Sequence, residues 1–219
     1  MKGAILKILL VTFIIACSRA EPERASSSQK RLMISATCNV DTSLVSTIEE
    51  HAFVNLGTTF RRGDCLALTD PEFDDIVRAA FKSTQPEDLY TLFLYDLPTN
   101  KVNVTIYTFR DRLAFLNLDR LRRGTPRLGD DDERFERRVK KESMRALGTL
   151  IKLPKCPSYM CAMYAPGGTN CLDKKGWNLC PPHRIKSDTL LDQAGIDVKT
   201  VVEQALELYE QKAPTSPSD

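Results

Sequence analysis

The segment Glu142–Arg184 reads ESMRALGTLIKLPKCPSYMCAMYAPGGTNCLDKKGWNLCPPHR. It joins the end of an amphipathic helical pattern to a turn rich in metal-ligating side chains. Cys156 and Cys161 have four residues between them, and Cys180-Pro181-Pro182-His183 supplies a C-x-x-H pair further on. Two short-spaced pairs across a loop are the layout of a closed tetrahedral zinc site. Each pair chelates from one turn, and the loop brings the two turns together. The spacing predicts one structural zinc on Cys156, Cys161, Cys180 and His183. Cys171 lies between the pairs and has three open roles: ligand, disulfide partner or bystander.

The same stretch resembles the archaemetzincins, a metzincin-like family of zinc peptidases. In that family a helix carries H-E-x-x-H-x-x-G-x-x-H. A cysteine follows at once, then four residues, a second cysteine, a methionine turn and a later C-x-x-C. Here Cys156 follows the helix directly, and Cys161-Ala162-Met163 sits at the second cysteine and the methionine turn. Leu179-Cys180-Pro181-Pro182-His183 sits at the last pair, with His183 replacing the final cysteine. Leu147, Gly148 and Leu153 also fit the helix pattern. The resemblance is close over 142–183 and loose over 31–186. It implies an α/β fold: one mixed-sheet metzincin-like domain spanning 31–212. That domain would hold a long active-site-type helix, a cysteine-rich zinc turn and a C-terminal helix.

The catalytic chemistry does not survive the comparison. The three histidine positions hold Arg145, Thr149 and Lys155, the general-base position holds Ala146, and the glycine position holds Lys152. A catalytic zinc needs neutral imidazole or carboxylate ligands and an open position for water. Guanidinium stays protonated and has no lone pair to give. Lysine would ligate only after losing its proton beside a dication. No catalytic residues are therefore assigned, no catalytic zinc is expected, and peptidase activity is an open question weighted against. Arg145 and Thr149 are four apart and share a helix face; Arg145 there would pair with a carboxylate or bind an anionic group.

Composition sets the frame. The 219 residues suffice for one domain with a sizeable core. Lys2 and Lys7 precede an apolar run, Ile8 to Ala16, and Ser18 and Ala20 are small residues before Glu21. This is a secretory signal pattern over 1–20, with an apolar run shorter than the roughly twenty residues a span requires. An uncleaved anchor is the alternative, and Ile14-Ile15-Ala16-Cys17 also reads as a lipoprotein box that would lipidate Cys17. A membrane association is expected only in those two cases. The whole chain carries 31 basic and 29 acidic residues, and cleavage after Ala20 would remove Lys2, Lys7 and Arg19. The near-neutral remainder gives no electrostatic case for nucleic acid. In an oxidising compartment the remaining cysteines are candidates for disulfides. Cys38 and Cys65 lie outside the zinc motif, near the ends of two predicted strands, and read equally as a disulfide or as two buried thiols.

Along the chain, 21–30 is a polar, Ser-rich leader. Leu32, Ile34 and Ala36 alternate in a first strand over 31–37. Asp41 caps a helix running to about Asn55, with Leu44, Val45, Ile48 and Ala52 on one face and Gly57 as its stop. His51 on that helix lacks a partner ligand one turn away and is assigned no metal role. A second strand lies within 58–68, interrupted at Arg62-Gly63. Asp70-Pro71 opens a second helix with Phe73, Ile76, Val77 and Ala80 buried. Strands follow over 89–95, 102–109 and 113–118, with a turn at 97–100. Asn103-Val104-Thr105 is a sequon in strand context. A long helix spans 132–153. Trp177 is read as a lid over the metal turn, 187–194 as a helical turn, and Asp197 as the cap of a last helix reaching Tyr209. Residues 213–219 form a disordered tail.

Three functions compete on these residues. The first is a secreted, catalytically inactive protein that keeps one structural zinc and binds a peptide or protein in the former substrate groove. The second is a metallopeptidase with an atypical site. The third is a secreted domain built on disulfides among Cys156, Cys161, Cys171 and Cys180, without metal.

Overall fold

The computed structural model describes residues 30–98, 105–122, 131–165, 172–199 and 203. Five strands form one sheet: β1 (Arg31–Ala36), β2 (Phe60–Arg62), β3 (Asp88–Tyr95), β4 (Ile106–Phe109) and β5 (Leu113–Asn117). Their order is β2-β1-β3-β5-β4, parallel except for β4, which pairs antiparallel with β5 at one edge. The helices are α1 (Thr42–Leu56), α2 (Phe73–Ser83), α3 (Leu118–Arg122), α4 (Asp131–Leu150) and α5 (Pro181–Gln193). The sheet is mixed and the fold is α/β.

Strand side chains alternate between two cores, as the pleat requires. Leu92 and Leu94 of β3 enter one core with Leu32 and Ile34 of β1, Ile48 of α1 and Leu147 of α4. Phe93 and Tyr95 enter the other, with Ile76 and Ala80 of α2 and Phe115 of β5. The central strands are therefore covered on both faces, which is why LFLY reads as an unbroken apolar run. The register Leu92↔Ala114, Phe93↔Phe115 keeps β5 in phase with this division.

Local chemistry sets the element ends. The Ser43 N–H donates to Asp41 Oδ1 at 2.8 Å, so Asp41 caps α1. Gly57 takes φ 68° and closes that helix. Pairing within the expected second strand breaks after Arg62, where a Cβ at Gly63 would lie 3.0 Å from Ser35 Cβ, and resumes as a bridge between Thr37 and Leu66. Cys38 and Cys65 flank that bridge and form a disulfide.

Several boundaries differ from the sequence reading. Asp70 adopts φ 42°, left-handed backbone that cannot lead into a helix, so α2 begins at Phe73. The Glu72 N–H is instead met by Asp75 Oδ2 at 3.3 Å. Helix α3 was not foreseen; it follows β5 without a loop, and the Asp119 N–H donates to Asn117 Oδ1. Helix α4 stops at Leu150. Lys152 takes φ 64°, its N–H bonds to the Thr149 carbonyl, and the Leu153 N–H reaches back to Gly148. These are the two bonds of a Schellman stop. Helix α5 starts at Pro181, not near Ser187, because Pro181 and Pro182 occupy first-turn positions whose N–H groups would go unused anyway. Asp197 to Lys199 are not helical, and the Lys199 N–H bonds to Gly57 O at 2.6 Å. The expected signal segment, leader and tail, the sequon's Asn103 and Val104, Cys171 and most of the expected last helix lie outside the described residues. Among the described residues, no helix is long and apolar enough to cross a membrane.

Candidate metal centre

Two elements deliver the four predicted ligands. Cys156 and Cys161 come from the turn after α4. Cys180 stands at the N-cap of α5, and His183 lies in that helix's first turn. The C-x-x-H spacing is thus a helix start, and Nδ1 of His183 lies 3.1 Å from Cys180 Sγ. The ligating atoms of Cys156, Cys161, Cys180 and His183 all fall within 4.8 Å of one another. Cys156 Sγ and Cys180 Sγ are 3.9 Å apart. A tetrahedral ion with Zn–S near 2.3 Å would place two sulfurs about 3.8 Å apart, so the spacing suits zinc. Cys156 and Cys161 are buried, and all three cysteines are free thiols.

The surroundings favour ligation. His183 Nε2 donates to the Pro154 carbonyl at 3.0 Å, which leaves the Nδ1 lone pair facing the sulfurs. The N–H groups of Met163 and Cys180 point at Cys161 Sγ, at 3.5 and 3.4 Å. Burial outweighs these donors and pushes the Cys161 thiol up to about 11. Burial also acts to raise Cys180, but hydrogen bonds with His183 and the neighbouring cysteines prevail and bring it down to about 7. The cluster can hold one zinc ion.

A second set of residues locks the turn in place, and the sequence reading missed it. Lys175 is buried, and its ammonium donates to Glu142 Oε1 at 2.8 Å and to the carbonyls of Ala162 and Tyr164 at 2.9 and 3.3 Å. Glu142 is buried too and accepts from Arg145 Nε at 2.9 Å. Burial alone would raise the Glu142 carboxyl, but Lys175 and Arg145 hold it below its usual value. Lys141 donates to the carbonyls of Leu172 and Asp173, and Arg138 forks onto Asp173 with two bonds of 2.6 Å. One face of α4 thus clamps 172–175. The signal was the charge spacing 138, 141, 142, 145 facing Asp173-Lys174-Lys175. On the other side, the Leu179 N–H donates to Asn55 Oδ1 at 2.9 Å, and His51 Nε2 donates to the Trp177 carbonyl at 3.0 Å. Helix α1 therefore steadies the approach to Cys180, with burial pushing the His51 imidazole down.

The positions that match the zinc-binding helix motif of the archaemetzincins do other work in this structure. Arg145 is spent on Glu142, fulfilling the expected carboxylate pairing within its own helix. Thr149 donates back to the Arg145 carbonyl at 2.8 Å. Lys155 is exposed, and Ala146 is completely buried. Met163 packs against Gly148, where any Cβ would overlap its sulfur. Trp177 is largely exposed and lines a cleft beside α4 with Met160 and Lys141, which corrects the expectation of a lid over the ligands.

No family model matches the sequence, and no curated protein matches it. Solved structures do match in fold. The crystal structure of archaemetzincin from Methanopyrus kandleri superposes with a TM-score of 0.57 at 23% identity, over 76% of this chain and 98% of that one. A zinc-dependent peptidase from Methanocorpusculum labreanum gives 0.54 at 19% identity, over 71% and 99%. The archaemetzincin from Archaeoglobus fulgidus, complexed with malonate, gives 0.53 at 18% identity, over 71% and 98%. The order of strands, the long helix and the cysteine turn that follows it together make this an archaemetzincin-like fold.

Proposed function

We propose that the chain is a secreted, catalytically inactive protein of archaemetzincin fold that keeps one structural zinc and acts by binding. The observation that carries this reading is the contrast between two neighbouring sites. The ligand turn is complete and steadied by hydrogen bonds, while the helix positions that serve catalysis in archaemetzincins hold Arg145, Ala146, Thr149 and Lys155. Zinc on three thiolates and one imidazole has no open position, so it would cross-link the end of α4 to the start of α5 without activating water. Secretion is supported by the Cys38–Cys65 disulfide, since such bonds persist in oxidising compartments.

The test is elemental analysis of protein purified without added metal, joined to a peptide-cleavage assay with zinc supplied. One zinc per chain, lost on Cys156→Ser and kept on Arg145→Ala, with no cleavage, is the expected result. Two zincs, or cleavage abolished by a chelator and restored by zinc, would overturn the inactive reading. No zinc together with no free thiols would favour the disulfide-built domain.

A further inference from the structure

The cleft lined by Trp177 is built differently from the metal turn behind it. It encloses about 640 Å³, within the usual size of a ligand site. Arg134, Arg137 and Lys141 reach it from one face of α4, and Lys174 faces them from the clamped segment. Arg137 is paired with Glu133. Among the described residues, Arg134 and Lys174 have no carboxylate within ion-pair distance, whereas Lys141 is buried with its ammonium on the carbonyls of Leu172 and Asp173. The acid nearest to hand, Asp173, is occupied by the Arg138 fork. Beside these cations sit exposed apolar side chains: Met160 is 63% and Trp177 44% accessible. Gly176 bonds to the Tyr159 carbonyl at 2.7 Å and lies so close to Met160 that a Cβ would overlap its carbonyl oxygen, so the two walls are joined.

We infer that this cleft docks an acidic peptide segment bearing an apolar residue, carboxylates toward Arg134 and Lys174 and the apolar side chain against Trp177 and Met160. The inference rests on the binding role proposed above and names the chemistry of the partner. Cations left without carboxylates in a concave site attract carboxylates, and an exposed indole beside a flexible thioether is an anchor surface. A nucleic acid fits less well. It needs a track of cations along the strand, and this patch is short and sits on a chain with no net basic excess to speak of.

Trp177 is the sole tryptophan, so its emission reports occupancy of this cleft directly. The experiment titrates the zinc-loaded full chain with a short peptide of alternating glutamate and leucine. The expected result is a saturable shift of Trp177 emission that weakens with added salt. Charge reversal at Arg134→Glu with Lys174→Glu should weaken binding by about tenfold, since each exposed pair is worth a fraction of a decade and reversal adds repulsion. Arg78→Glu on α2 should change nothing. Should the reversed variant lose zinc or helical signal, Arg134→Gln with Lys174→Gln replaces it, with a smaller loss expected. Failure of the peptide to shift Trp177 would overturn the inference. So would equal binding of a lysine–leucine peptide, or an equal effect of Arg78→Glu. Tighter binding of a single-stranded oligonucleotide or of phosphatidylserine vesicles, weakened by the same reversals, would reassign the cleft. Mass spectrometry of the peptide after titration keeps the two readings apart: cleavage would sink the inactive assignment while leaving the docking result intact.

Discussion

Replacing Lys175 with methionine tests whether the buried ion pair holds the metal turn to α4. The side chain of Lys175 is fully buried and that of Glu142 nearly so, and they meet at 2.8 Å. Removing one partner of such a pair costs about 3–5 kcal/mol, because the other charge is left uncompensated. Arg145 still reaches Glu142, from a side chain about a quarter exposed, and offsets part of that loss. The two carbonyls of Ala162 and Tyr164 lose their donor and add to it. The net expectation is about 3 kcal/mol, or a melting temperature lower by roughly 6–12 °C for a chain of this size. The assay is thermal unfolding with zinc in excess, for Lys175→Met, Glu142→Leu and the double variant. The double variant should recover at least half the loss, since no buried charge remains without a partner. The deficit also depends on pH. The Glu142 carboxyl is held below its usual value by Lys175 and Arg145 against the upward push of burial. The pair's stabilisation is therefore complete above the ordinary carboxylate range and is lost as pH falls through the lowered folded value. The gap between wild type and Lys175→Met should be full at neutral pH and narrow in acid. A loss under about 1 kcal/mol at neutral pH, or a double variant no better than the single, would refute the reasoning.

Two further outcomes can be checked in the same unfolding assay. Lys152→Gly should stabilise by about 1 kcal/mol, because Lys152 sits at φ 64° where glycine carries no Cβ penalty, and its ion pair with Asp111 is exposed; a destabilised variant would mean that this pair matters more than the backbone. Reducing Cys38–Cys65, or replacing both with alanine, should cost about 3.5 kcal/mol by loop-closure entropy over a separation of 27 residues, and an unchanged midpoint would show that β1 and β2 stay joined without it.

The clustering of the four candidate ligands was legible because metal chemistry is written in spacing. Cys156, Cys161, Cys180 and His183 needed only two short turns and a connecting loop. The strands were legible where the pleat divides apolar residues between two cores, as in LFLY. What escaped depended on context that spacing does not carry. The helix start at Pro181-Pro182 is one such case, since prolines break a helix from within but open one where an N-cap such as Cys180 precedes them. Lys175 looks like one of two solvated lysines in sequence; only the return of 172–175 across α4 reveals that it is the buried one. The left-handed backbone at Lys152 was hidden for a similar reason, since a lysine gives no warning of a conformation usually left to glycine. The Cys38–Cys65 pairing was undecided until the bridge between Thr37 and Leu66 brought the two segments together.

Ala146 has a consequence for which substitutions α4 tolerates. Its side chain is wholly enclosed, within the core that also contains Leu147 and Met163. Glutamate at that position would place a carboxylate in packed apolar surroundings, beside an Arg145 already committed to Glu142. Histidine at 145 would in turn strip Glu142 of one of its two cations. Both changes would therefore lower stability, so this part of α4 is locked by its packing: its residues can be exchanged only together with the partners they hold.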